Sequence, residues 1–308
     1  MHIQQNVPLA PYTTFHIGGT ADYFTKAQST DQIIVAVSWA KERNTPFFIL
    51  GEGANILVGD KGFRGLVIKN EAKKVIRITD ILLIAESGIT ISELIEKTAA
   101  MGLSGLEHFA GIPSSLGGAL WQNLHFLSTD RSSTVFIGDI VEKAEILRIT
   151  NLPAGRQGDE LQIMNKETVN RNYFNFGYDY SSLHDSQDIV LAVTLRLEKK
   201  PKEEILHTIK ENLAWRDERH PFEAWKKSAG SVFKKIEGHG AGRLIEKVGL
   251  KGTRIGGAEI SSQHANFILN TGNATAREVK ELIRLAQATI REATGLELET
   301  EISFVGEF

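Results

Sequence analysis

The sequence predicts a mixed α and β fold of two or three packed units. Length is the first reason, since 308 residues is about twice the usual size of one domain. Patterning is the second: short apolar runs separated by turn residues dominate the chain before residue 198, punctuated by amphipathic stretches with capping signals. The third is a shift in composition at EKKPKEE, residues 198–204, which is the preferred domain boundary. Hydrophobic residues at 42% and charged residues at 24% make a large core available and exclude a disordered, collagen-like or coiled-coil chain.

The elements follow in order. A helix is expected over 31–44, DQIIVAVSWAKERN, with Thr30 or Ser29 as N-cap, and after Pro46 the run FFIL reads as a buried strand. The chain then turns on GEGAN. ILV, the turn GDKGFRG and LVIKN follow as further strands, and VIRIT and ILLIAES as two more. Thr90 and Glu93 form a capping box ahead of the helix ISELIEKTAAM, and Gly102 stands where its C-cap is expected. HFAGIPSSLGGALWQN packs three glycines and a proline into an apolar stretch, which reads as a buried glycine-rich turn. EKAEILRI and DIVLAVTLRLE are strand-like, with NLPAGRQGDE between them as a surface loop without chemistry.

From the boundary onward a helix carries Ile205, Leu206, Ile209 and Leu213 on one face before Pro221. The glycine-rich loop SAGSVFKK, the short helix AGRLIEKVG and the stretch RIGGAEISSQHANFILN come next. Thr275 and Glu278 cap a longer helix whose buried stripe is Val279, Leu282, Ile283, Ala286 and Ile290, ended by Gly295. In LELETEISF, Leu296, Leu298, Thr300, Ile302 and Phe304 share one face of a strand, and Glu297, Glu299 and Glu301 share the other.

Charge and composition narrow the chemistry. With 35 Lys plus Arg against 38 Asp plus Glu, the net charge of -3 gives no whole-molecule field for nucleic acid or an anionic membrane, so an anionic ligand must be gripped locally. The absence of cysteine removes disulfides, thiolate metal sites, iron–sulfur clusters and cysteine nucleophiles. No apolar run approaches the roughly eighteen residues of a membrane span, and the start MHIQQNVPLAPYTTF lacks the pattern of a signal peptide. A soluble, cytoplasmic protein is expected. The nine histidines show no metal-ligand spacing, so no metal is expected.

GEGAN, residues 51–55, lies between two apolar runs, and its backbone N–H groups can point outward as an anion-binding nest; a plain tight turn is the other reading. GIPSSLGGA, residues 111–119, offers two hydroxyls and glycines for close approach to a flat or phosphorylated ligand. Neither is a Walker sequence or a dinucleotide fingerprint, so kinase and Rossmann readings drop. SAGS at 228–231 is not GxSxG, and Ser231 needs a rationale other than a hydrolase nucleophile. Taken alone, Glu301 reads as a solvated residue on an edge strand.

The segments NVPLAPYTTFHIGGTADYF, ILGEGANILVGDKGFRGLVI, GLEHFAGIPSSLGGALWQN, FNFGYDYSSLH, SAGSVFKK, AGRLIEKVGLKGTRIGGAEISSQHANFILN and LELETEISFVG, in this order, closely resemble the UDP-N-acetylenolpyruvoylglucosamine reductases. These flavoenzymes complete UDP-N-acetylmuramate for peptidoglycan. HANFILN after GGAEIS resembles the family's shorter class. The resemblance implies an α+β fold: a two-subdomain α/β FAD-binding unit of the vanillyl-alcohol-oxidase (PCMH) type over 1–198, with subdomains about 1–70 and 71–198, and a C-terminal α+β substrate-binding domain over 199–308.

It also implies noncovalent FAD, reduced by NADPH as co-substrate, with the UDP-sugar enolpyruvate then admitted to the same flavin face. Gly51, Glu52, Gly53, Ala54 and Asn55, with Gly111, Ile112, Pro113, Ser114, Ser115, Gly117, Gly118 and Ala119, would surround the pyrophosphate and isoalloxazine. Thr14, Ile17, Gly18 and Asn123 would lie nearby. Partners would be these small molecules, with no nucleic acid or membrane, and the protein would be a monomer. Hydride delivered to the enolpyruvyl methylene carbon leaves negative charge at the adjacent carbon and its carboxylate, so cationic or acidic groups must meet the carboxylate and a proton donor must reach that carbon. By resemblance Ser231 is the donor, Glu301 assists at the carboxylate and Lys234 helps bind the nucleotide sugar. Tyr178, Lys235, Gln263, His264 and Asn266 complete the substrate set.

One departure bears on that chemistry. The family's Tyr-Arg-x-Ser motif stands here as Tyr178, Asp179, Tyr180 and Ser181, placing a carboxylate at a catalytic position that carries arginine in the family. A carboxylate facing a carboxylate repels it, so either Lys235 or Arg171 substitutes, with Asp179 as that cation's partner, or the site has changed. A changed site would mean a same-fold flavoprotein with another substrate, or a flavin- or nucleotide-sugar-binding protein without turnover. Lesser departures are Lys235 for the usual asparagine, LHFLS after Asn123 for a small-residue stretch, and SS for Gly-Thr after GIP.

Overall fold

The computed structural model describes residues 1–152, 161–220, 227–236 and 238–308, so most of the loop expected at NLPAGRQGDE lies outside the described residues. Segments distant in sequence fold together. One unit comprises Met1, Lys26–Trp39 and Ile68–Leu213; the other comprises His2–Thr25, Ala40–Val67 and Ala214–Phe308. This grouping differs from a division at residue 198, because the segment with GEGAN clusters with C-terminal residues.

In the first unit, ILLIAES folds as the strand Leu82–Glu86. It joins a five-stranded antiparallel sheet in the order Leu161–Asn170, Val141–Leu152, Ile189–Arg196, Leu82–Glu86 and Val75–Arg77. The run IVLAVTL in the middle strand is apolar at almost every position and is buried on both faces, as an interior strand must be. The α-helices described before Pro221 are α1 (Thr30–Glu42), α2 (Ile91–Ala100), α3 (Leu116–Gln122) and α4 (Lys202–Arg219). Ser29 is the cap of α1, its Oγ accepting the Gln32 N–H at 3.3 Å. The Thr90–Glu93 capping box forms as expected, and Gly102 takes φ +67°. Leu94 and Ile95 of α2 pack with Leu83, Phe109, Leu120, Ile146, Phe174 and Val193 in one core.

Three expectations change in this unit. GIPSSLGGALWQN is not only a turn: Ser115 caps α3, and Leu116, Ala119 and Leu120 at helical spacing bury one side. In α4, Leu206 and Leu213 are exposed, and the buried positions include Ile205, Asn212 and Arg216. Asn212 can be buried because its amide donates to the Glu107 carbonyl at 3.1 Å. The strand Leu161–Asn170 was not expected. It is a polar edge strand, held in part by cross-strand pairs such as Lys166–Glu145 at 2.9 Å, so it lacks an apolar alternation.

In the second unit, a sheet runs in the order Gln4–Pro8, Thr20–Ala27, Phe63–Asn70 and Phe47–Leu50. A three-stranded antiparallel sheet, Arg254–Ile255, Ala258–Ile260 and Ile268–Asn270, accompanies α5 (Ala241–Lys247) and α6 (Ala276–Thr294). The Thr275–Glu278 box, the expected buried stripe and the Gly295 cap at φ +73° are all present in α6. Asp60 accepts the N–H groups of Ala276 and Arg277 at 2.8 and 3.0 Å, placing a carboxylate at the positive end of the helix. The core gathers Phe15, Leu57, Val232, Phe233, Ile260, Leu282 and Ile302.

LELETEISF departs from the expected single strand. Only Ser303–Val305 is strand, paired parallel with Ile56–Val58. The alternation holds through Leu298 and Ile302 and then breaks, so that Val305 is buried and Phe304 is 41% exposed. Among the described residues no helix is long and apolar enough to cross a membrane, and no group of three His, Cys, Asp or Glu could hold a metal.

Candidate active site

The second unit carries the loop GEGAN. GEGAN links the strands Phe47–Leu50 and Ile56–Val58, and Gly53 sits at φ +63°, where a Cβ would stand 2.4 Å from the Tyr12 carbonyl oxygen. The carbonyl of Gly53 accepts the Thr14 N–H at 3.1 Å, and Thr14 Oγ1 donates to the Ser228 carbonyl at 2.6 Å. Thr14 thus ties this loop to the start of SAGS. Among the described residues, the N–H groups of Gly53, Ala54 and Asn55 find no protein acceptor. That favours the anion nest over the plain turn. Ile17 is buried, and a Cβ on Gly18 would lie 2.9 Å from Val58 Cβ, in the strand that follows the loop.

Ser231 and Glu301 come onto neighbouring backbone although they are far apart in sequence. Ser231 bridges Phe267, Phe233 bridges Thr300, and the Glu301 N–H donates to the carbonyl of Val232 at 2.8 Å. Asn55 joins the first loop to the same place, its amide donating to the Glu301 carbonyl at 3.3 Å while its own carbonyl accepts the Ser303 N–H at 3.0 Å. Glu301 is half-buried, unlike the exposed Glu297 and Glu299, which separates it from the ordinary solvated glutamate.

The remaining residues of the expected substrate set differ in kind. Lys234 and Lys235 are exposed, and Lys234 pairs with Glu299 at 3.3 Å. Gln263 is exposed and donates to the His220 carbonyl at 3.0 Å. His264 packs edge-on against Phe267 at 5.0 Å, and burial holds its imidazole below the usual histidine range. Asn266 is a brace: its Oδ1 accepts the Phe233 N–H at 3.0 Å and its Nδ2 donates to the Phe233 carbonyl at 2.9 Å, so both amide groups position the chain beside Ser231.

Other residues expected at a site lie in the first unit. The N–H groups of Leu116, Gly117 and Gly118 donate to the Ile89 carbonyl, the Ser87 carbonyl and Ser115 Oγ, at 2.8, 2.8 and 3.3 Å. The glycine pair therefore serves close packing: a Cβ on Gly117 would be 3.2 Å from Ser87. Ahead of the helix, Gly111, Ser114 and Ser115 keep N–H groups without a protein acceptor among the described residues, while Ile112 donates to Phe109 and Pro113 has no N–H. Ala119 is buried in the helix. Asn123 ends α3 at φ +49° and is itself buried, donating to the Gly177 carbonyl at 2.7 Å and accepting the Gly138 N–H at 3.1 Å.

That clamp brings the departing motif to the end of α3. Tyr178 is 53% exposed, whereas Asp179 is 6% exposed and faces His125, whose Nδ1 lies 3.4 Å from Asp179 Oδ1. Of the two cations offered as a substitute for the arginine, Arg171 is exposed and pairs with Asp139 at 2.8 Å, and Lys235 is exposed. Burial pushes the His125 imidazole below the usual histidine range, and the Asp179 carboxylate opposes that shift. Sequence reasoning missed His125. The signal was present, because it belongs to LHFLS, but only folding shows that two departing positions touch.

Residues 21–148 match the family described as FAD binding domain, and residues 220–305 match the family described as UDP-N-acetylenolpyruvoylglucosamine reductase, C-terminal domain. The chain is 38% identical over 302 residues to the UDP-N-acetylenolpyruvoylglucosamine reductase of Caldanaerobacter subterraneus subsp. tengcongensis, covering 98% of this chain and 93% of that one. It is 37% identical over 307 residues to that of Moorella thermoacetica, covering 100% and 94%. The crystal structure of the Thermus caldophilus UDP-N-acetylenolpyruvylglucosamine reductase matches it with a TM-score of 0.76 at 31% identity, over 99% of each chain. On full-length identity and on fold, the chain belongs to the UDP-N-acetylenolpyruvoylglucosamine reductase family.

Proposed function

We infer that the chain reduces the enolpyruvyl group of UDP-N-acetylglucosamine enolpyruvate to give UDP-N-acetylmuramate, with FAD as cofactor and NADPH as co-substrate. The observation that carries this reading is the meeting of Ser231, Glu301 and Asn55 through the Glu301–Val232 and Asn55–Glu301 hydrogen bonds. The residues fit the cofactor. Gly53, Ala54 and Asn55 keep backbone donors suited to a pyrophosphate, and so, taken by themselves, do Gly111, Ser114 and Ser115.

FAD, when bound, supplies a hydride donor that NADPH replenishes. The chain's own task is to manage charge on the substrate. Ser231 gives its hydroxyl proton to the carbon next to the one that receives hydride; a serine is a weak acid in water, but a developing carbanion supplies driving force, and position then matters more than resting pKa. Glu301 assists at the substrate carboxylate. Lys234 and Lys235 meet the nucleotide-sugar phosphates, and Tyr178, Gln263 and His264 contact the sugar nucleotide, with Asn266 holding the Ser231 segment in place. Residues 1–198 act as the FAD-binding part and 199–308 as the substrate-binding part, a division supported by the matches at 21–148 and 220–305. The enzyme works as a cytoplasmic monomer.

An anaerobic titration tests the reading. NADPH should bleach the bound flavin, and UDP-N-acetylglucosamine enolpyruvate should restore its yellow colour with formation of UDP-N-acetylmuramate. Reduced flavin that this substrate leaves unchanged would overturn the reading.

A further inference from the structure

We propose that Thr14 and Asn270 are positioning residues of the reductase reaction, fixing the entry to the loop that carries Ser231. The proposal rests on the reductase reading above. Every residue in it belongs to the second unit.

The Thr14 hydroxyl is committed to protein. Its Oγ1 lies 2.6 Å from the Ser228 carbonyl oxygen and 3.4 Å from that of Gly53, and a hydroxyl has one hydrogen, so the shorter contact takes it. Towards a ligand it can only accept. The Thr14 N–H is engaged as well, with the Gly53 carbonyl at 3.1 Å, so one residue joins the proposed phosphate nest to the residue that opens SAGS.

Asn270 holds the residues next to Thr14. It is 7% exposed, its Nδ2 donates to the carbonyls of Phe15 and His16 at 3.0 and 3.4 Å, and its Oδ1 accepts the N–H groups of Gly272 and Ala274 at 3.0 and 3.1 Å. Its backbone N–H donates to the Lys227 carbonyl at 2.9 Å. The links close on themselves: Asn270 bonds to Phe15, the adjacent Thr14 bonds to Ser228, and the adjacent Lys227 bonds back to Asn270. His16 takes φ +54°, a strained conformation that persists where its surroundings over-determine it; here its carbonyl meets Asn270 and its N–H donates to the Thr13 carbonyl at 3.1 Å.

The consequence falls on Ser231. The loop leaves through the Ser231–Phe267 bridge and the Asn266 brace on Phe233, so its exit is held. Thr14 and Asn270 hold its entry. Between the two, Gly230 sits at φ +76°, and apart from its chain neighbours no atom of the described residues lies within 4 Å of where its Cβ would stand. Bonds at the ends, not packing on the glycine, therefore set the path. Proton delivery to carbon depends on where Ser231 stands, and a misplacement of about 1 Å can cost about 10²-fold. The chemistry itself is unchanged: hydride goes to the methylene carbon and the Ser231 proton to the adjacent carbon.

The test uses the FAD-loaded protein and its Thr14→Val, Thr14→Ser and Asn270→Asp variants. Thr14→Val keeps the side-chain shape and the N–H bond to Gly53 but loses the bond to Ser228; Asn270→Asp turns the donor facing Phe15 into an acceptor. Single-turnover reduction by NADPH and reoxidation by the enolpyruvyl substrate are followed in H2O and D2O. Thr14→Val should slow reoxidation by up to about 10²-fold, well beyond any slowing of reduction, and its solvent isotope effect on reoxidation should exceed the parent's, because proton delivery becomes more limiting. Thr14→Ser should recover the rate and the isotope effect, and Asn270→Asp should behave as Thr14→Val does. Equal slowing of both half-reactions, or flavin lost from a folded Thr14→Val protein, would make Thr14 a flavin contact and overturn the proposal. If Thr14→Val does not fold, Asn270→Asp decides, and the parent's rate and isotope effect in that variant overturn the proposal while leaving the reductase reading intact. A parent whose reduced flavin the substrate does not reoxidise overturns both.

Discussion

Asn266 holds Phe233 by both ends of its amide, accepting from the Phe233 N–H at 3.0 Å and donating to the Phe233 carbonyl at 2.9 Å. The Asn266 carbonyl meanwhile accepts the Val232 N–H at 2.8 Å. A single buried side chain therefore sets the path of the backbone on which Ser231 stands. Asn266→Ala should leave a donor and an acceptor unpaired and cost about 2–4 kcal/mol, with reoxidation by substrate slowed as Ser231 shifts. Urea unfolding and single-turnover kinetics on the same variant check both effects.

Ser231→Ala should separate the two half-reactions. Reduction of the flavin by NADPH needs no proton delivered to carbon, whereas reoxidation by the enolpyruvyl substrate does, so the second step alone should slow by about 10²–10⁴-fold. Equal slowing of both steps in stopped-flow traces would mark Ser231 as a packing residue.

Gly53→Ala tests the first loop. The added Cβ would meet the Tyr12 carbonyl oxygen at 2.4 Å, at a φ of +63° where alanine is strained. About 1–3 kcal/mol of strain is expected. Because the distortion falls on the proposed phosphate nest, FAD content after dialysis should drop more than melting temperature does.

The flavin should leave when the protein unfolds. The chain has no cysteine to form a cysteinyl link, and the proposed contacts are backbone donors. Acid precipitation should put the yellow colour in the supernatant; colour retained by the pellet would contradict noncovalent binding.

Acid stability should depend on His220. Burial, with Arg216 and His264 nearby, pushes its imidazole down to about 3 in the folded protein, and His264 is lowered as well. An unfolded histidine titrates near 6.5. Below that pH the unfolded chain therefore binds more protons than the folded one, and stability falls as pH drops from about 6.5 towards 3. The urea midpoint should decline across that window, and less steeply in His220→Asn.

Much of this protein is determined by local sequence. Thr90 with Glu93, and Thr275 with Glu278, mark two helix starts because a capping box closes within one turn, and Gly102 and Gly295 mark the ends because few other residues tolerate positive φ there. The glycine loops and Ser231 were legible as motifs and by family resemblance. Tertiary structure decided what local pattern could not carry. The edge strand Leu161–Asn170 has no apolar alternation because it is held by its partner and by ion pairs. The break after Ile302 exists because Ser303–Val305 must pair with Ile56–Val58, a contact no neighbouring residue encodes. Glu301 is half-buried beside the Ser231 chain and Glu299 is exposed, a difference that the alternation placing both on one face does not carry. His125 and Asp179 are each an isolated departure in sequence; the buried Asn123 amide draws the end of α3 and the Gly177 turn together, and that makes them a pair.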